Sequence, residues 1–486
     1  MNNIQTGAPF FALLQLDGTA HEFMVEAMRR GMAPNLAKMA KDPNYIFQPY
    51  LCGVPTETEP VLAKVAYGLS IAGNDWRDPK TFANVDGVLF EDVIKKEAAA
   101  NGESGLFQGG MTCICELSMG ASESNTRVVR HTLYSEFARI GKIRTVLREL
   151  GRDLPALIKH PIELAGIIAR FTANALYTRR YLKAHGLWNT WYDKHYPLMI
   201  AASDYIFPKL ITANLAQALR KGLPRFFADF TGPDERRHYF GDSVDSLRSI
   251  ELADHEIGRI VHLLEKSGRP YQLVIYADHG QSPTTLFTKA FGLPVTQAVL
   301  TMAAVCARRD VPATEIATAH DYPLLNIYFQ DRKSVSLSSI EAKYPGLLAQ
   351  IIAHPAFGFV AGREGGGLRV IGKNGQLVIT GDCVVVTGEH PLKQYTDRFQ
   401  DEKTLSRQLA LYANVEGSGD LILNSAHDTS GNLYDFCTDY SLVSGHGGFG
   451  IKPPFILCRK DSGISVDGVI DATELHPQFK RLAEVH

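Results

Sequence analysis

Apolar runs that end at polar side chains mark the strands of this chain. Residues 273–277 form one such run, which stops at Asp278 and His279, and residues 9–16 form another, which stops at Asp17. Continuous apolar runs are typical of parallel strands that are covered on both faces. Ligands of α/β sheets gather beyond the carboxyl ends of such strands. The pattern therefore predicts a buried sheet with a functional edge.

Segments with helical periodicity lie between the strands. Residues 21–41 have apolar positions at helical spacing, interrupted at Gly31 and Pro34, and residues 244–264 repeat apolar positions at intervals of three, four and seven. Similar reasoning predicts helices at 61–69 and 340–353, and strands within 46–54, 105–117, 225–230, 297–307, 324–329, 357–388, 420–423 and 454–458.

Thr58 directly precedes the predicted helix of residues 61–69. The simpler interpretation is a helix N-cap, with Pro60 as an early helical residue. The alternative is a phosphate-binding position, because free N–H groups and the helix dipole favour an anion there.

Composition restricts the class of protein. The 486 residues are 45% apolar and 21% charged, which fits one large globular domain with insertions, or two domains. A net charge of -2 gives no indication of a nucleic-acid coat. Seven scattered cysteines favour a reducing compartment. Because neither a signal peptide nor an apolar membrane span is evident, we expect a soluble, cytoplasmic protein.

Residues 125–200 differ from the rest of the chain. They read as helical and contain 13 Lys and Arg against five Asp and Glu. A helical cap packed on the core is the simpler interpretation. A surface that contacts anionic lipid or a polyanionic substrate is the alternative.

Further metal-capable side chains follow other predicted strands. Asp234 and His238 stand four residues apart in a predicted loop after residues 225–230, and His446 lies among small residues in a glycine-rich loop. Each of these has an ordinary alternative, a salt-bridging loop or a plain turn. Two divalent ions need about three protein ligands each, and a nearby metal lets a hydroxyl lose its proton at neutral pH. The candidates that fit this count are Asp17, Thr58, Asp234, His238, Asp278, His279 and His446.

Together the motifs resemble the alkaline phosphatase superfamily, in its type I phosphodiesterase/nucleotide pyrophosphatase branch. The matching motifs are Leu16-Asp17-Gly18, Pro55-Thr-x-Thr58-x-Pro60, Asp234-x-x-x-His238, Asp278-His279-Gly280 and His446-Gly447-Gly448, in this order. Asp420-Leu-x-Leu-Asn424 and Pro454-Phe455 are similar to phosphodiesterase-like domains of bacteria.

The resemblance implies an α/β fold with an alkaline-phosphatase-like core. A mostly parallel sheet would be sandwiched by helices, with helical and α+β cap insertions. The implied division is a catalytic core in three parts (1–120, 201–290 and 416–486), a basic helical cap at 121–200 and an α+β cap at 291–415.

The resemblance also implies roles for the candidate residues. Asp17, Asp278 and His279 would hold one divalent ion, zinc or manganese, which also contacts Thr58. The second ion would be held by Asp234, His238 and His446. Thr58, rather than Thr56, would be the nucleophile, and Asn74 matches an amide that binds a phosphoryl oxygen.

The implied activity is a metal-dependent phosphodiesterase with a phosphoryl-threonine intermediate. A phosphomonoesterase or phosphotransferase on the same site, a hydrolase of lipid-linked phosphate at a membrane surface, and a metal-binding protein without turnover remain alternatives. Glu57 and Glu59 stand where nucleotide pyrophosphatases usually have Lys and Phe. Because two carboxylates repel additional phosphates, a diester other than a nucleoside triphosphate is favoured. Arg237 replaces a common glycine and either contacts phosphate or has no role.

Overall fold

A seven-stranded sheet forms the centre of the fold. The computed structural model describes residues 9–74, 76–78, 81–85, 90–115, 117–124, 161–330 and 335–484. In spatial order the strands are Tyr45–Pro49, Phe455–Arg459, Tyr271–Tyr276, Phe10–Leu16, Arg225–Phe230, Met111–Cys113 and Glu123–Ser124. Phe10–Leu16 pairs in parallel with both neighbours, whereas Phe455–Arg459 is antiparallel to both of its own. The predicted mostly parallel sheet is confirmed.

Alternate residues of each strand enter two different cores. Phe11 and Leu13 pack on one face with Val61 and Phe479, while Phe10, Ala12 and Leu14 pack on the other face. Because successive side chains of a strand point to opposite faces, an unbroken apolar strand needs helices on both sides. The helices on the first face are Thr58–Tyr67, Phe90–Ala100 and His476–Glu484, and those on the second are His21–Arg29, Pro34–Lys41, Phe207–Lys221 and Val244–Lys266.

A second sheet, also of seven strands, is antiparallel throughout. Its order is Ile316–Asp321, Leu324–Phe329, Leu421–Ser425, Phe357–Glu364, Gly367–Gly372, Gly375–Thr380 and Cys383–Gly388. Helices Val295–Ala307, Leu337–Lys343 and Leu347–Ala353 cover one face, and Glu402–Ala413 covers the other. Leu421–Ser425 comes from beyond residue 415, where the predicted cap ends. The domain boundaries remain a prediction.

Smaller elements complete the described chain. A helical hairpin consists of Pro161–Ala184 and Trp191–Tyr205. Short strands Leu433–Asp435, Ser282–Leu286 and Ser444–Gly445 form a three-stranded sheet, and Trp76–Arg77 pairs with Asn84–Val85. The remaining helices are Gly232–Phe240 and Phe287–Phe291, with 3-10 turns at Lys393–Tyr395, Lys460–Ser462 and Ala472–Glu474.

One predicted strand was wrong. Residues 297–307 lie in the helix Val295–Ala307, whose buried side chains include Val295, Ala298, Val299 and Ala303. That spacing follows a helix, and 13 residues exceed a usual strand, which has about 5–6. The helical segment of residues 21–41 is interrupted as predicted, since it divides into two helices around Gly31, which has a left-handed φ of 74°.

Part of the basic segment lies outside the described residues, namely 125–160. Its remainder, through residue 200, is helical as predicted. Within the described ranges, we find no helix whose length and apolar character would let it cross a bilayer.

Candidate metal centre and nucleophile

The carboxyl edge of the central sheet collects the predicted ligands. Asp17 follows Phe10–Leu16, Asp278 and His279 follow Tyr271–Tyr276, and Asp234 lies shortly after Arg225–Phe230. These three strands are neighbours in the sheet. Because they run in parallel, their ends converge at one place.

Asp234 and His238 are on a helix, not in the predicted loop. The helix Gly232–Phe240 has Pro233 in its first turn, where proline is well tolerated, so Pro233 starts a helix here. One helical turn places the two side chains on the same face, and His238 Nε2 lies 3.0 Å from Asp234 Oδ2.

Thr58 is the first residue of the helix Thr58–Tyr67, and Glu57 occupies the N-cap position. The predicted N-cap role of Thr58 is therefore wrong. Its hydroxyl instead donates to Asp17 Oδ1 at 3.2 Å and lies 3.1 Å from His279 Nε2. The side chain thus faces the ligand cluster from the positive end of a helix dipole.

The two predicted ligand sets face each other across Asp234. In the first set, His279 Nε2 lies 3.3 Å from Asp278 Oδ2 and 3.7 Å from Asp17 Oδ1. In the second, His446 Nε2 lies 3.3 Å from His238 Nε2 and 3.6 Å from Asp234 Oδ1. Ligand atoms of Asp17, Asp234 and His279 also fall within 4.8 Å of one another. Asp234, a member of the second predicted set, therefore also lies close to ligand atoms of the first set.

Glycine permits the closest approach within this cluster. Gly18 has a φ of 60°, and its N–H donates to Asp278 Oδ1 at 3.2 Å. A Cβ atom at Gly18 would come within 2.1 Å of Asp234 Oδ1. A side chain at this position would displace Asp234.

Backbone pairing joins the His446 loop to the segment before Thr58. Thr56 N–H donates to Gly447 O at 3.1 Å, and Gly447 N–H donates to Thr56 O at 2.9 Å. Buried Asn424 supports the same loop, since its Oδ1 accepts from Phe449 N–H at 2.8 Å. Through these contacts, Asn424 and the glycine-rich sequence around His446 hold in place the loop that carries His446.

Two of the three histidines present Nε2 to the centre because backbone carbonyl groups contact Nδ1. His238 Nδ1 lies 2.8 Å from Ser444 O, and His279 Nδ1 lies 3.0 Å from Gly280 O. His446 Nδ1 lies 3.4 Å from Glu57 Oε2 and has no hydrogen-bond partner among the described residues. Metal-ligating histidines characteristically use the second ring nitrogen in this way.

The electrostatics of the cluster favour bound cations. Burial, with repulsion from Asp278, Asp229 and Asp234, raises the pKa of Asp17 well above its ordinary value. Burial also raises the pKa of Asp278. Although burial lowers the pKa of His238, neighbouring Asp234 raises it to about 9. Positive charge at the centre would stabilise the ionised carboxylates and release the imidazole nitrogens for coordination.

The donor set fits divalent metal ions. Three carboxylates and three imidazoles are buried together, and Asp278 Oδ2 is enclosed with no hydrogen-bond partner among the described residues. Mixed N/O ligands of this kind suit zinc and other first-row ions. A cluster of side chains that can hold metal therefore exists among the described residues.

Asn74 and Arg237 both have protein partners. Asn74 Nδ2 donates to Glu57 Oε2 at 3.2 Å, so the amide reaches the cluster through Glu57. Arg237 donates through Nη2 to Asp242 and to Gln281 O at 3.1 Å, whereas its Nη1 is buried without a hydrogen-bond partner among the described residues. The predicted phosphate contacts of both residues remain predictions.

Sequence reasoning did not identify two residues at this site. Gln281 Nε2 donates to Asp234 Oδ1 at 2.5 Å, and the only signal was its position just after Asp278-His279-Gly280. The Tyr322 ring lies 4.5 Å from the His446 ring and 5.5 Å from the His238 ring. Nothing in the local sequence marks Tyr322.

Known proteins share this architecture. Residues 202–335 match the family model described as type I phosphodiesterase/nucleotide pyrophosphatase. Phosphonoacetate hydrolase from Sinorhizobium meliloti 1021, solved with phosphonoformate, is 14% identical, and the alignment covers 98% of this chain and 95% of that one, with a TM-score of 0.53. Wild-type alkaline phosphatase PafA is 12% identical, with 99% and 96% covered and a TM-score of 0.54. No curated protein shows significant similarity to the chain.

The comparisons agree with the predicted resemblance. The two solved structures share the fold of this chain, and the family match falls on the segment that holds Asp234, His238, Asp278 and His279.

Proposed function

We propose that this phosphoric ester hydrolase of the alkaline phosphatase superfamily cleaves phosphodiesters through a phosphoryl-threonine intermediate on Thr58. The observation that carries the proposal is the position of the Thr58 hydroxyl. It lies between Asp17 and His279, at the N-terminus of a helix and beside six buried metal-capable side chains.

In the proposed centre Asp17, Asp278 and His279 hold one divalent ion, and Asp234, His238 and His446 hold a second; zinc is favoured and manganese is the alternative. When bound, such ions lower the pKa of a coordinated hydroxyl or water and neutralise charge that builds on phosphorus. These six side chains place the ligand atoms, and the histidine rings are oriented with Nε2 toward the proposed ions.

The reaction then has two displacements at phosphorus. Thr58 Oγ1 forms a bond to phosphorus while the bond to the leaving alcohol breaks, and that alcohol departs with a proton. Water next attacks the phosphoryl-threonine, the bond to Oγ1 breaks, and the threonine hydroxyl recovers a proton. The hydrogen bond from Thr58 to Asp17 orients Oγ1 for the first step, and the helix N-terminus favours the phosphoryl oxygens.

The surroundings of Thr58 favour a diester without further phosphates. Glu57 and Glu59 are buried beside it, and burial together with Asp321 and Glu59 raises the pKa of Glu57 well above its ordinary value. Acidic neighbours would disfavour the extra negative charges of a nucleoside triphosphate. We further propose that the enzyme acts in the cytoplasm, where buried thiols such as Cys52 stay reduced.

The test compares hydrolysis of bis-p-nitrophenyl phosphate and p-nitrophenyl phosphate by protein loaded with zinc or manganese. We expect a marked diester preference, loss of turnover in Thr58→Ala, and partial activity in the matched variant Thr58→Ser. Mass spectrometry after acid quench should find a p-nitrophenyl phosphate group esterified to Thr58 when the diester is the substrate. Undiminished turnover by Thr58→Ala would remove this residue from the mechanism.

A preference for the monoester would favour the second candidate, a phosphomonoesterase or phosphotransferase on the same site. The fold likeness to alkaline phosphatase PafA is compatible with that candidate. Soluble diesters and lipid diesters are separate substrate classes. The exposed surface of the helical hairpin is relevant to which of these classes reaches the site.

A further inference from the structure

The helical hairpin exposes an apolar face on the helix Pro161–Ala184. Ile167, Ala175 and Leu182 are buried and anchor the helix. At 100° per residue, an arc of about 140° on the other side holds six apolar or small side chains. They are Ala165, Ile168, Ala169, Thr172, Ala173 and Leu176, all exposed, with 56% of Ile168 and 47% of Leu176 accessible.

The second helix of the hairpin, Trp191–Tyr205, adds exposed apolar side chains. Trp191 is 44% exposed and Leu198 is 54% exposed, two turns apart. Exposed Lys194 and His195 lie on the same side of this helix. Tryptophan with lysine is a pair typical of membrane–water interfaces.

From Leu164 to Tyr205, where the side chains of the hairpin are described, the exposed Lys, Arg, Asp and Glu residues are all basic. Five basic residues are exposed between Leu164 and Tyr205, namely Arg170, Arg179, Arg180, Lys183 and Lys194. Asp193 and Asp204 are the acidic residues of that stretch, and both are buried. Arg179, Arg180 and Lys183 continue the apolar arc toward the end of its helix. This surface therefore complements a negatively charged, apolar partner.

The hairpin contacts the helix that carries the second ligand set. Tyr239 donates to Asp193 Oδ1 at 2.7 Å, Arg236 donates to Asp204 Oδ2 at 2.9 Å, and Tyr181 stacks on Phe240 with ring centroids 4.2 Å apart. Asp234 and His238 belong to that same helix, Gly232–Phe240. The hairpin is thus attached directly to the helix that holds Asp234 and His238.

We propose that the outer face of the helical hairpin docks on the surface of an anionic phospholipid bilayer. The apolar arc enters the boundary between headgroups and acyl chains, and the basic residues pair with anionic headgroups. Docking would present lipid phosphodiesters to the site, a consequence that rests on the proposed function.

The test is sedimentation of the full chain with vesicles of phosphatidylcholine, alone or with about 30% phosphatidylglycerol. We expect binding to the anionic vesicles that weakens at high salt. The double variants Ile168→Glu/Leu176→Glu and Arg180→Glu/Lys183→Glu should each lower the bound fraction at least about tenfold. Val305→Glu, a control on another exposed helix where Val305 is 61% accessible, should bind like wild type.

Circular dichroism and turnover of bis-p-nitrophenyl phosphate in solution verify that the variants are folded, and both should match wild type. Equal binding by wild type and hairpin variants, or failure of wild type to sediment, would overturn the proposal. A wild-type dimer that these substitutions convert to monomer would also overturn it, since a second copy would then cover the face.

These measurements can refute the docking proposal and the proposed function independently of each other. A protein that sediments with anionic vesicles but hydrolyses neither chromogenic ester refutes the proposed function alone. One that hydrolyses the diester but remains in the supernatant refutes docking alone.

Discussion

Glu57 Oε2 lies 3.4 Å from Nδ1 of His446, and Asn74 donates to the same carboxylate oxygen. Glu57 therefore faces Nδ1 of His446, as the carbonyl oxygens of Ser444 and Gly280 face Nδ1 of His238 and His279, although Nδ1 of His446 has no hydrogen-bond partner among the described residues. We expect Glu57, beside Thr58, to act as a positioning residue for His446.

Glu57→Gln should weaken the affinity for metal about 10–100-fold, because outer partners of ligating histidines have effects of that size. Chelator competition followed by elemental analysis measures the change. Glu389→Gln, on the protein surface, is the control. Equal retention of metal by both variants would refute the positioning role.

Asp278→Asn and His446→Ala should each lower the number of bound ions per chain and reduce diester turnover. Both side chains are buried in the cluster, one in each predicted ligand set. The loss of affinity should exceed the roughly 10–100-fold expected for an outer partner. Elemental analysis of dialysed protein gives the stoichiometry, and an unchanged count in either variant would contradict its ligand role.

Gly18→Ala should impair turnover while leaving the fold intact. The added Cβ would collide with Asp234 Oδ1 at 2.1 Å, and the backbone there has a positive φ that alanine adopts with strain. Activity should fall more than thermal stability. Gly31→Ala is the matched control, because Gly31 also has a positive φ but open space around it. Similar activity losses in the two variants would point to backbone strain alone.

Lys64→Met should destabilise the protein by about 3–5 kcal/mol, the usual cost of breaking a buried ion pair. Lys64 Nζ is fully buried, lies 2.7 Å from Asp471 Oδ2 and donates to Cys52 O and Val54 O, a few residues before Thr58. Urea unfolding gives the free energy. The double variant Lys64→Met/Asp471→Leu should be less affected than the sum of the single variants, and strict additivity would argue against coupling.

The Asp193 carboxylate should make a pH-dependent contribution to the free energy of unfolding. Burial raises its pKa, but hydrogen bonds from Thr190, Ser441 and Tyr239 outweigh burial and hold the pKa below its ordinary value. The stabilisation is present above the unfolded-state pKa of about 3.9 and is lost as the pH falls through the folded-state value.

Unfolding of wild type and Asp193→Asn between about pH 6 and pH 3 tests this expectation. The difference in free energy of unfolding between the two proteins should narrow as the solution becomes acidic. A constant difference over that range would contradict the assignment.

The sequence predicted the sheet edge well because burial and chemistry change together there. Residues 9–16 and 273–277 are apolar on both faces, so their carboxyl ends, at Asp17 and Asp278, could be located without tertiary information. The family motifs then indicated that candidate ligands far apart in the chain belong to one site.

The errors have local causes. Asp234 and His238 were predicted in a loop, although Pro233 fits the first turn of a helix, and residues 297–307 were predicted as a strand, although they belong to the helix Val295–Ala307. Contacts such as Glu57 with His446, or Asn74 with Glu57, depend on how distant loops approach one another. No periodicity or propensity encodes them.

The backbone pairing of Thr56 with Gly447 also has a consequence for when the buried cluster is completed during synthesis. The two residues are 391 positions apart along the chain. During synthesis, Asp17 and Thr58 emerge long before His446 does. A nascent chain therefore lacks one member of the buried cluster until residue 446 has been made, and we expect the proposed activity to arise only after that point.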